Sequence, residues 1–302
     1  TSHVLLRGIT HQVTEWGPDA APPVFLLHGW GDCGETFQFL VDACSPQRRW
    51  VALDWRGFGG SQWTGPAYWF PDYLADLEAF LDHYSPGSPA VLVGHSMGGN
   101  IASLYAGVRP SRVARLVNLE GIGLPHTESA AAPGRYRRWL DQLNDPKGYS
   151  VYESLDAFAR VLARRNPRLP MERAEFIARL WLMPWDGGWT VRWDPAHKHV
   201  NPVLYSREAA AACWAACTAP TLLVLGGCSD IRLGLGPDGE PSAYAGISPD
   251  VRVHLMPAAG HMMHHEEPEA LAEVLENFLD DVAWPQRGCC CANGRSHSFW
   301  QA

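Results

Sequence analysis

The stretch Ala90-Val91-Leu92-Val93-Gly94-His95-Ser96-Met97-Gly98-Gly99 decides the fold. Its first four residues are apolar, as in a strand that is buried on both faces of a parallel sheet. Glycines two residues before and after Ser96 let a strand and a helix approach closely around a sharp turn. Residues 100–108 continue with the small and apolar side chains of a buried helix. The stretch therefore predicts a strand, a turn and a helix, with the Ser96 hydroxyl lifted clear of the sheet.

Similar apolar runs elsewhere predict the remaining core strands. They lie at residues 24–27, 50–53, 113–119, 221–225 and 251–256. A final helix is expected to begin near Pro268, because proline is favoured in the first turn of a helix. Strands that alternate with helices indicate an α/β fold with a mostly parallel sheet flanked by helices.

Residues 124–200 lack strand-like runs and instead carry apolar residues at helical spacing. We predict a helical cap inserted after the sixth strand, over the carboxyl edge of the sheet, where open α/β sheets bind ligands. Residues 1–123 and 201–285 would then form the core. Residues 286–302 have three consecutive cysteines and no apolar period, which indicates an unstructured or artificially added tail.

The overall composition restricts the partners of the chain. A formal net charge of -8 argues against nucleic acid, whose binding needs clustered Lys and Arg. No apolar run approaches the roughly 18 residues of a membrane helix, so no membrane span is expected. The chain begins at Thr1 without a basic and apolar leader, which favours a cytoplasmic location and leaves export open. The sequence does not indicate an oligomeric state.

The raised hydroxyl of Ser96 is the predicted nucleophile. A serine nucleophile needs a base to take its proton, and His261 is the strongest candidate. It follows Gly260 in the loop between the last strand and the last helix. His264 and His265 are close in sequence, but they lead into the helix start, where solvated or capping roles are commoner. We therefore predict that His261 takes the Ser96 proton.

Serine and histidine of this kind form a catalytic triad with a carboxylate that orients the imidazole. We expect this carboxylate in a loop after a core strand. Asp230 lies in the exit loop of the strand at 221–225, and the chain order Ser96, Asp230, His261 is typical of this arrangement. Glu120, at the exit of the strand at 113–119, is the alternative. We predict Asp230 as the acid and keep Glu120 as its rival.

Two backbone amides would form an oxyanion hole. Met97 begins the helix after Ser96, and its N–H points to where an oxyanion would form. The second N–H is predicted from Trp30, in the loop after the strand at 24–27, where Gly29 permits close approach. His28 beside them is interpreted as a hydrogen-bonded structural residue.

Four motifs in this order resemble the α/β-hydrolase superfamily over roughly residues 20–282. They are His28-Gly29-Trp30-Gly31, Asp54-Trp55-Arg56-Gly57-Phe58-Gly59, the Ser96 stretch and Gly260-His261. Within it, the chain is similar to bacterial esterase-type hydrolases and serine-hydrolase-like proteins, whose cap segments also carry Asp-Pro followed by basic residues, here Asp194-Pro195-Ala196-His197-Lys198. A serine at position 96 departs from the aspartate nucleophile of haloalkane dehalogenases and epoxide hydrolases of this fold.

The resemblance and the triad together imply a serine hydrolase acting on a small-molecule carboxylic ester, without a metal or organic cofactor. Trp185, Trp189 and Trp193 are candidates for an apolar pocket wall. Lactone, thioester or amide hydrolysis, perhydrolysis and carbon–carbon bond hydrolysis would use the same residues. A non-catalytic ligand-binding member of the fold is a further alternative, because fold does not determine function.

Overall fold

The computed structural model describes residues 1–145 and 148–281. The strands are β1 Ser2–Leu6, β2 Ile9–Trp16, β3 Pro23–Leu27, β4 Arg49–Leu53, β5 Ala90–His95, β6 Val113–Leu119, β7 Leu182–Trp185, β8 Gly188–Val191, β9 Thr221–Gly226 and β10 Val251–Met256. The helices are α1 Gln38–Ala43, α2 Phe70–Tyr84, α3 Met97–Val108, α4 Ala132–Asn144, α5 Leu155–Arg165, α6 Met171–Trp181, α7 Arg207–Ala215, α8 Asp230–Gly234, α9 Met263–Glu266 and α10 Pro268–Asp280.

Eight of these strands form one sheet in the order β1-β2-β4-β3-β5-β6-β9-β10. The β1–β2 and β2–β4 pairs are antiparallel, and all the other pairs are parallel. The predicted mostly parallel sheet is therefore confirmed, and each predicted core strand agrees with an observed one to within two residues. The antiparallel pairs lie at one edge, where the hairpin of β1 and β2 joins the parallel strands.

Two apolar layers cover the sheet, one on each face. Phe25 and Leu27 of β3 pack on the face that α2 and α3 cover. Leu26 lies on the opposite face, where Leu40 of α1 and Leu275 of α10 meet the sheet. Successive residues of a strand point to opposite faces, so a run that is apolar throughout fills both layers. The carboxyl ends of the parallel strands β3, β5, β6 and β9 therefore lie side by side.

The segment between β6 and α7, called the inserted segment, contains α4, α5, α6 and the strands β7 and β8. It has an apolar cluster of its own, which includes Phe158, Ile177 and Leu182. The prediction that this region contains helices alone was wrong, because β7 and β8 form an antiparallel hairpin. Its two-residue loop is Asp186-Gly187, with Gly187 at φ +74°, and Asp-Gly is a strong hairpin signal.

Two expectations from the sequence concern membranes and the chain end. In the described ranges, no helix is both long enough and apolar enough to cross a bilayer. The tail predicted at residues 286–302 lies outside the described residues.

Candidate active site

Ser96 occupies a sharp turn between β5 and α3, as the sequence predicts. Its backbone has φ 51° and ψ −113°, a strained conformation for a residue other than glycine. A Cβ atom on Gly98 would lie 2.1 Å from the Leu27 carbonyl oxygen, so only glycine lets α3 approach the end of β3 this closely. The turn is therefore packed closely against the end of β3, and it places Ser96 directly before the helix.

The loop after β3 lies beside this turn. A Cβ atom on Gly29 would be 3.2 Å from the Ser96 Cβ atom, so the loop passes within contact distance of the serine. Trp30, the next residue, and Met97, the first residue of α3, line the same cleft of about 350 Å³. The two residues predicted to supply oxyanion amides therefore share one cavity next to Ser96.

His261 is paired with Glu120. The Nδ1 atom of His261 lies 2.8 Å from Oε1 of Glu120. Glu120 follows β6 with φ 56° and is buried, and its Oε2 atom accepts a hydrogen bond of 2.7 Å from the Gly226 N–H. The Ser229 hydroxyl donates to Oε1. Because a carboxylate only accepts, Nδ1 of His261 carries the proton and Nε2 is left with a lone pair that can act as a base.

The prediction that Asp230 orients His261 was wrong. Asp230 is the first residue of α8 and is exposed, and no hydrogen bond or ion pair joins it to His261 among the described residues. Ser229 is the residue of this loop that turns inward, because its hydroxyl both caps α8 and contacts Glu120. The side chain after it then faces solvent, and the rival position at the exit of β6 supplies the carboxylate.

A buried cluster behind His261 was not anticipated from the sequence. The His95 ring donates from Nε2 to the His261 carbonyl oxygen at 2.9 Å, and its centroid is 4.3 Å from that of His264. The Nε2 atom of His264 lies 3.4 Å from Oδ2 of Asp32. The prediction that His264 and His265 are solvated or capping residues was wrong, since both are buried, His264 against the Phe37 ring and His265 near Trp181 of the inserted segment.

The electrostatics of this cluster follow from its burial. Burial lowers the pKa of His95 well below its ordinary value, which keeps the imidazole neutral. For Asp32 burial acts in the opposite sense and would raise the pKa, but the His264 hydrogen bond and the nearby His265 hold it well below the usual range. Asp32 is therefore a buried carboxylate that faces histidine side chains.

Asp32, His95 and His264 have the donor atoms to bind a metal ion, and one such atom from each lies within 4.8 Å of the others. The Asp32 carboxylate is already engaged, however. Its Oδ1 atom accepts from the Cys33 N–H at 2.8 Å, the Thr36 hydroxyl at 2.7 Å and Trp181 Nε1 at 2.8 Å. These hydrogen bonds account for the buried charge without an ion.

His28 has the structural role expected of it. Its Nδ1 atom donates to the Gly29 carbonyl oxygen at 2.7 Å, and its Nε2 atom accepts from the Trp55 N–H at 2.9 Å. Only the neutral ring can make both contacts. Burial correspondingly lowers the pKa of His28 to about 4.

Aromatic side chains form much of the wall of the cleft beside Trp30, and these include Tyr68, Trp69, Phe70 and Trp139. His197 also lines it and is stacked on Tyr68, with ring centroids 3.6 Å apart.

The three tryptophans predicted for the pocket wall are not among the cleft-lining residues. Trp193 packs against Trp30 at 4.9 Å, Trp189 joins the apolar cluster of the inserted segment, and Trp185 stands 42% exposed. The cleft thus has aromatic walls, but other residues supply most of them.

The fold and this arrangement define a hydrolase of the α/β class, and comparison with known proteins agrees. Residues 22–268 match the family model described as alpha/beta hydrolase fold, and the chain belongs to that family. It is 28% identical over 273 residues to a serine hydrolase-like protein of Danio rerio, covering 87% of this chain and 83% of that protein.

Two further proteins, one of them of known structure, are similar to this chain over most of its length. A 2-(acetamidomethylene)succinate hydrolase of Mesorhizobium japonicum is 27% identical over 277 residues, covering 90% of this chain and 92% of the relative. The crystal structure of the hypothetical protein PA1622 from Pseudomonas aeruginosa superposes with a TM-score of 0.82 at 27% identity, covering 92% and 98% of the two chains.

Proposed function

We propose that this hydrolase is a carboxylesterase that forms an acyl-enzyme on Ser96. The observation that carries the proposal is the pairing of His261 with the buried Glu120 beside the strained turn that presents Ser96. A histidine whose Nδ1–H is held by a carboxylate is oriented to act as a base through Nε2. This pairing replaces Asp230 by Glu120 in the triad expected from the sequence.

The proposed reaction has two steps. The Nε2 atom of His261 takes the Ser96 proton while the serine oxygen attacks the ester carbonyl, and the N–H groups of Trp30 and Met97 stabilise the oxyanion. Collapse of the tetrahedral intermediate breaks the ester bond, and His261 returns the proton to the departing alcohol. A water molecule, deprotonated by the same imidazole, then releases the acid and restores Ser96.

The cleft favours a neutral ester over an anionic substrate. Among the described residues that line it there is no Lys or Arg, and its one carboxylate, Asp72, is tied to Arg7 and Arg56. Recognition of a dicarboxylate such as the succinate named for one relative would call for cationic side chains. Thioesters, lactones and amides would use the same catalytic groups and are the alternative substrates of this site.

The test is the hydrolysis of a panel of p-nitrophenyl esters by the wild type, Ser96→Ala and the exposed control Ser88→Ala. We expect Ser96→Ala to lose turnover by about a thousandfold or more and the control to match the wild type. Undiminished turnover by Ser96→Ala would contradict the proposal. A folded wild-type protein without turnover of any ester would favour a ligand-binding role.

A further inference from the structure

A second groove of about 400 Å³ lies next to the catalytic cleft. The two share the lining residues Trp69, Phe70 and Asn201. The groove also reaches Asn100 of α3, which lies three residues, about 4.5 Å along the helix axis, from Met97. It extends from there to Ala209 of α7. The groove therefore adjoins the cleft where we place the ester carbonyl.

The walls of the groove expose apolar side chains to solvent. Trp69 and Leu124 are each 57% exposed and Val203 is 50% exposed, although they come from three separate parts of the chain. Exposing large apolar groups leaves them without the favourable free energy of burial, and their convergence on one groove is typical of a binding site. Leu124 and Val203 do not line the catalytic cleft, so the cleft alone gives no reason for their exposure.

The charges along the groove favour an uncharged occupant. Arg135 is the one formally charged residue among the described residues that line it, and its Nε atom already donates to the Asn201 carbonyl oxygen at 2.6 Å. The other lining residues are mainly alkyl and aromatic. A hydrocarbon chain matches these walls better than a polar or anionic group does.

We propose that the groove binds an unbranched alkyl chain of the ester whose carbonyl lies at Ser96, so that the preferred substrates are lipophilic esters of medium or long chain. The inference rests on the proposed esterase function and names its substrate class. The chain can belong to the acyl or to the alcohol half of the ester, because both extend from the same carbonyl.

Two series of esters test the proposal in the wild type: p-nitrophenyl esters from acetate to dodecanoate, and butyrate esters of alcohols from ethanol to dodecanol. We expect kcat/KM to rise about fourfold per added CH₂ in one of them until the groove is filled, which corresponds to about 0.8 kcal/mol per methylene. The series that rises identifies the half of the ester that occupies the groove. A kcat/KM that falls with chain length in both series would overturn the proposal.

A blocking variant locates the effect in the groove. Ala209→Trp fills the groove from an exposed position of α7, whereas Ala212→Trp adds the same side chain to an exposed position of the helix outside the groove. We expect Ala209→Trp to lower kcat/KM for a ten-carbon ester by about tenfold, with ethyl and p-nitrophenyl butyrate unchanged within about twofold. Ala212→Trp should match the wild type. An equal loss for long and short esters in Ala209→Trp, or no loss at all, would contradict the proposal.

Failure of the groove and failure of the esterase activity are distinguishable. If no ester is turned over, binding of dodecan-1-ol, an uncharged probe with a twelve-carbon chain, to the wild type and to Ala209→Trp is measured by calorimetry. Binding that Ala209→Trp abolishes would support the groove without the esterase activity. Equal binding or none would contradict it. Turnover of short esters without any gain in kcat/KM from longer chains would support the esterase function and contradict alkyl-chain binding in the groove.

Discussion

At the scale of single residues, the predicted and observed sites differ in the acid that contacts His261, which is Glu120 and not Asp230. β6 and β9 are adjacent parallel strands, so their exit loops lie side by side and a carboxylate on either loop is a candidate for His261. Glu120 reaches the imidazole because its backbone turns inward at φ 56°. Asp230 does not, because it starts α8 and faces solvent. A sequence shows which loops hold carboxylates but not which way each side chain turns.

At the scale of elements, the inserted segment is attached to the loop that carries His261. Trp181 at the end of α6 donates to Asp32, and Asn166 donates from its side-chain nitrogen to Oε1 of Glu266 at 2.8 Å. The other oxygen of Glu266 accepts from the Gly260 N–H, directly before His261. We infer that the position of the inserted segment affects how precisely His261 is held.

Removing one of these contacts should affect both stability and catalysis. Trp181→Phe keeps an aromatic ring at this position but removes the indole N–H that donates to the buried Asp32 carboxylate. We expect it to lower the free energy of unfolding by about 1–3 kcal/mol. We also expect kcat on p-nitrophenyl butyrate to fall, since Asp32 supports His264 and His95 behind His261. Urea unfolding and steady-state kinetics measure the two effects.

Trp185→Phe is the matched control for this substitution, because Trp185 lies in the same segment, is 42% exposed and contacts the Tyr149 ring. It should leave kcat near the wild-type value. Equal effects of the two substitutions on kcat would show that the contact with Asp32 has no particular role.

At the scale of the whole molecule, desolvation favours the neutral form of five histidines among the described residues. Burial lowers the pKa of His28 to about 4 and of His197 to about 3, and it lowers that of three others. The three are His11, His95 and His265. In the unfolded chain each would titrate near 6.5. The unfolded state therefore binds more protons than the native state when the pH falls below that value.

Stability should consequently decrease in mild acid. A lowered histidine pKa contributes stability that is present above about pH 6.5 and is lost as the pH falls towards the folded values. Each fully buried histidine contributes up to about 1.4 kcal/mol per pH unit in that window. Burial raises the pKa of Asp54 to about 7, so this carboxyl acts in the opposite direction. It is a single group, whereas five histidines lose stability in acid. Urea unfolding at pH 7.5, 6 and 5 measures the trend, and a free energy of unfolding that stays constant or rises towards pH 5 would contradict it.

The sequence predicts those features of the molecule that depend on residues close to one another in the chain. The strands and the Ser96 turn depend on local apolar runs and glycine spacing, which the sequence displays directly. The hairpin of β7 and β8 is marked by the local signal Asp186-Gly187, which the helical interpretation of the segment passed over. The cleft walls and the cluster of Asp32, His95 and His264 bring together residues far apart in the chain, and no local pattern specifies such contacts.

The most direct test of the proposed site is the rate at which a fluorophosphonate labels the protein, with the modified peptide identified by mass spectrometry. The wild type and Asp230→Asn should be labelled on Ser96 at similar rates, Ser96→Ala should not be labelled, and Glu120→Gln should react at least about a hundredfold more slowly. Labelling at a residue other than Ser96, or slow labelling of Asp230→Asn with Glu120→Gln unaffected, would contradict the assignment of Ser96, His261 and Glu120.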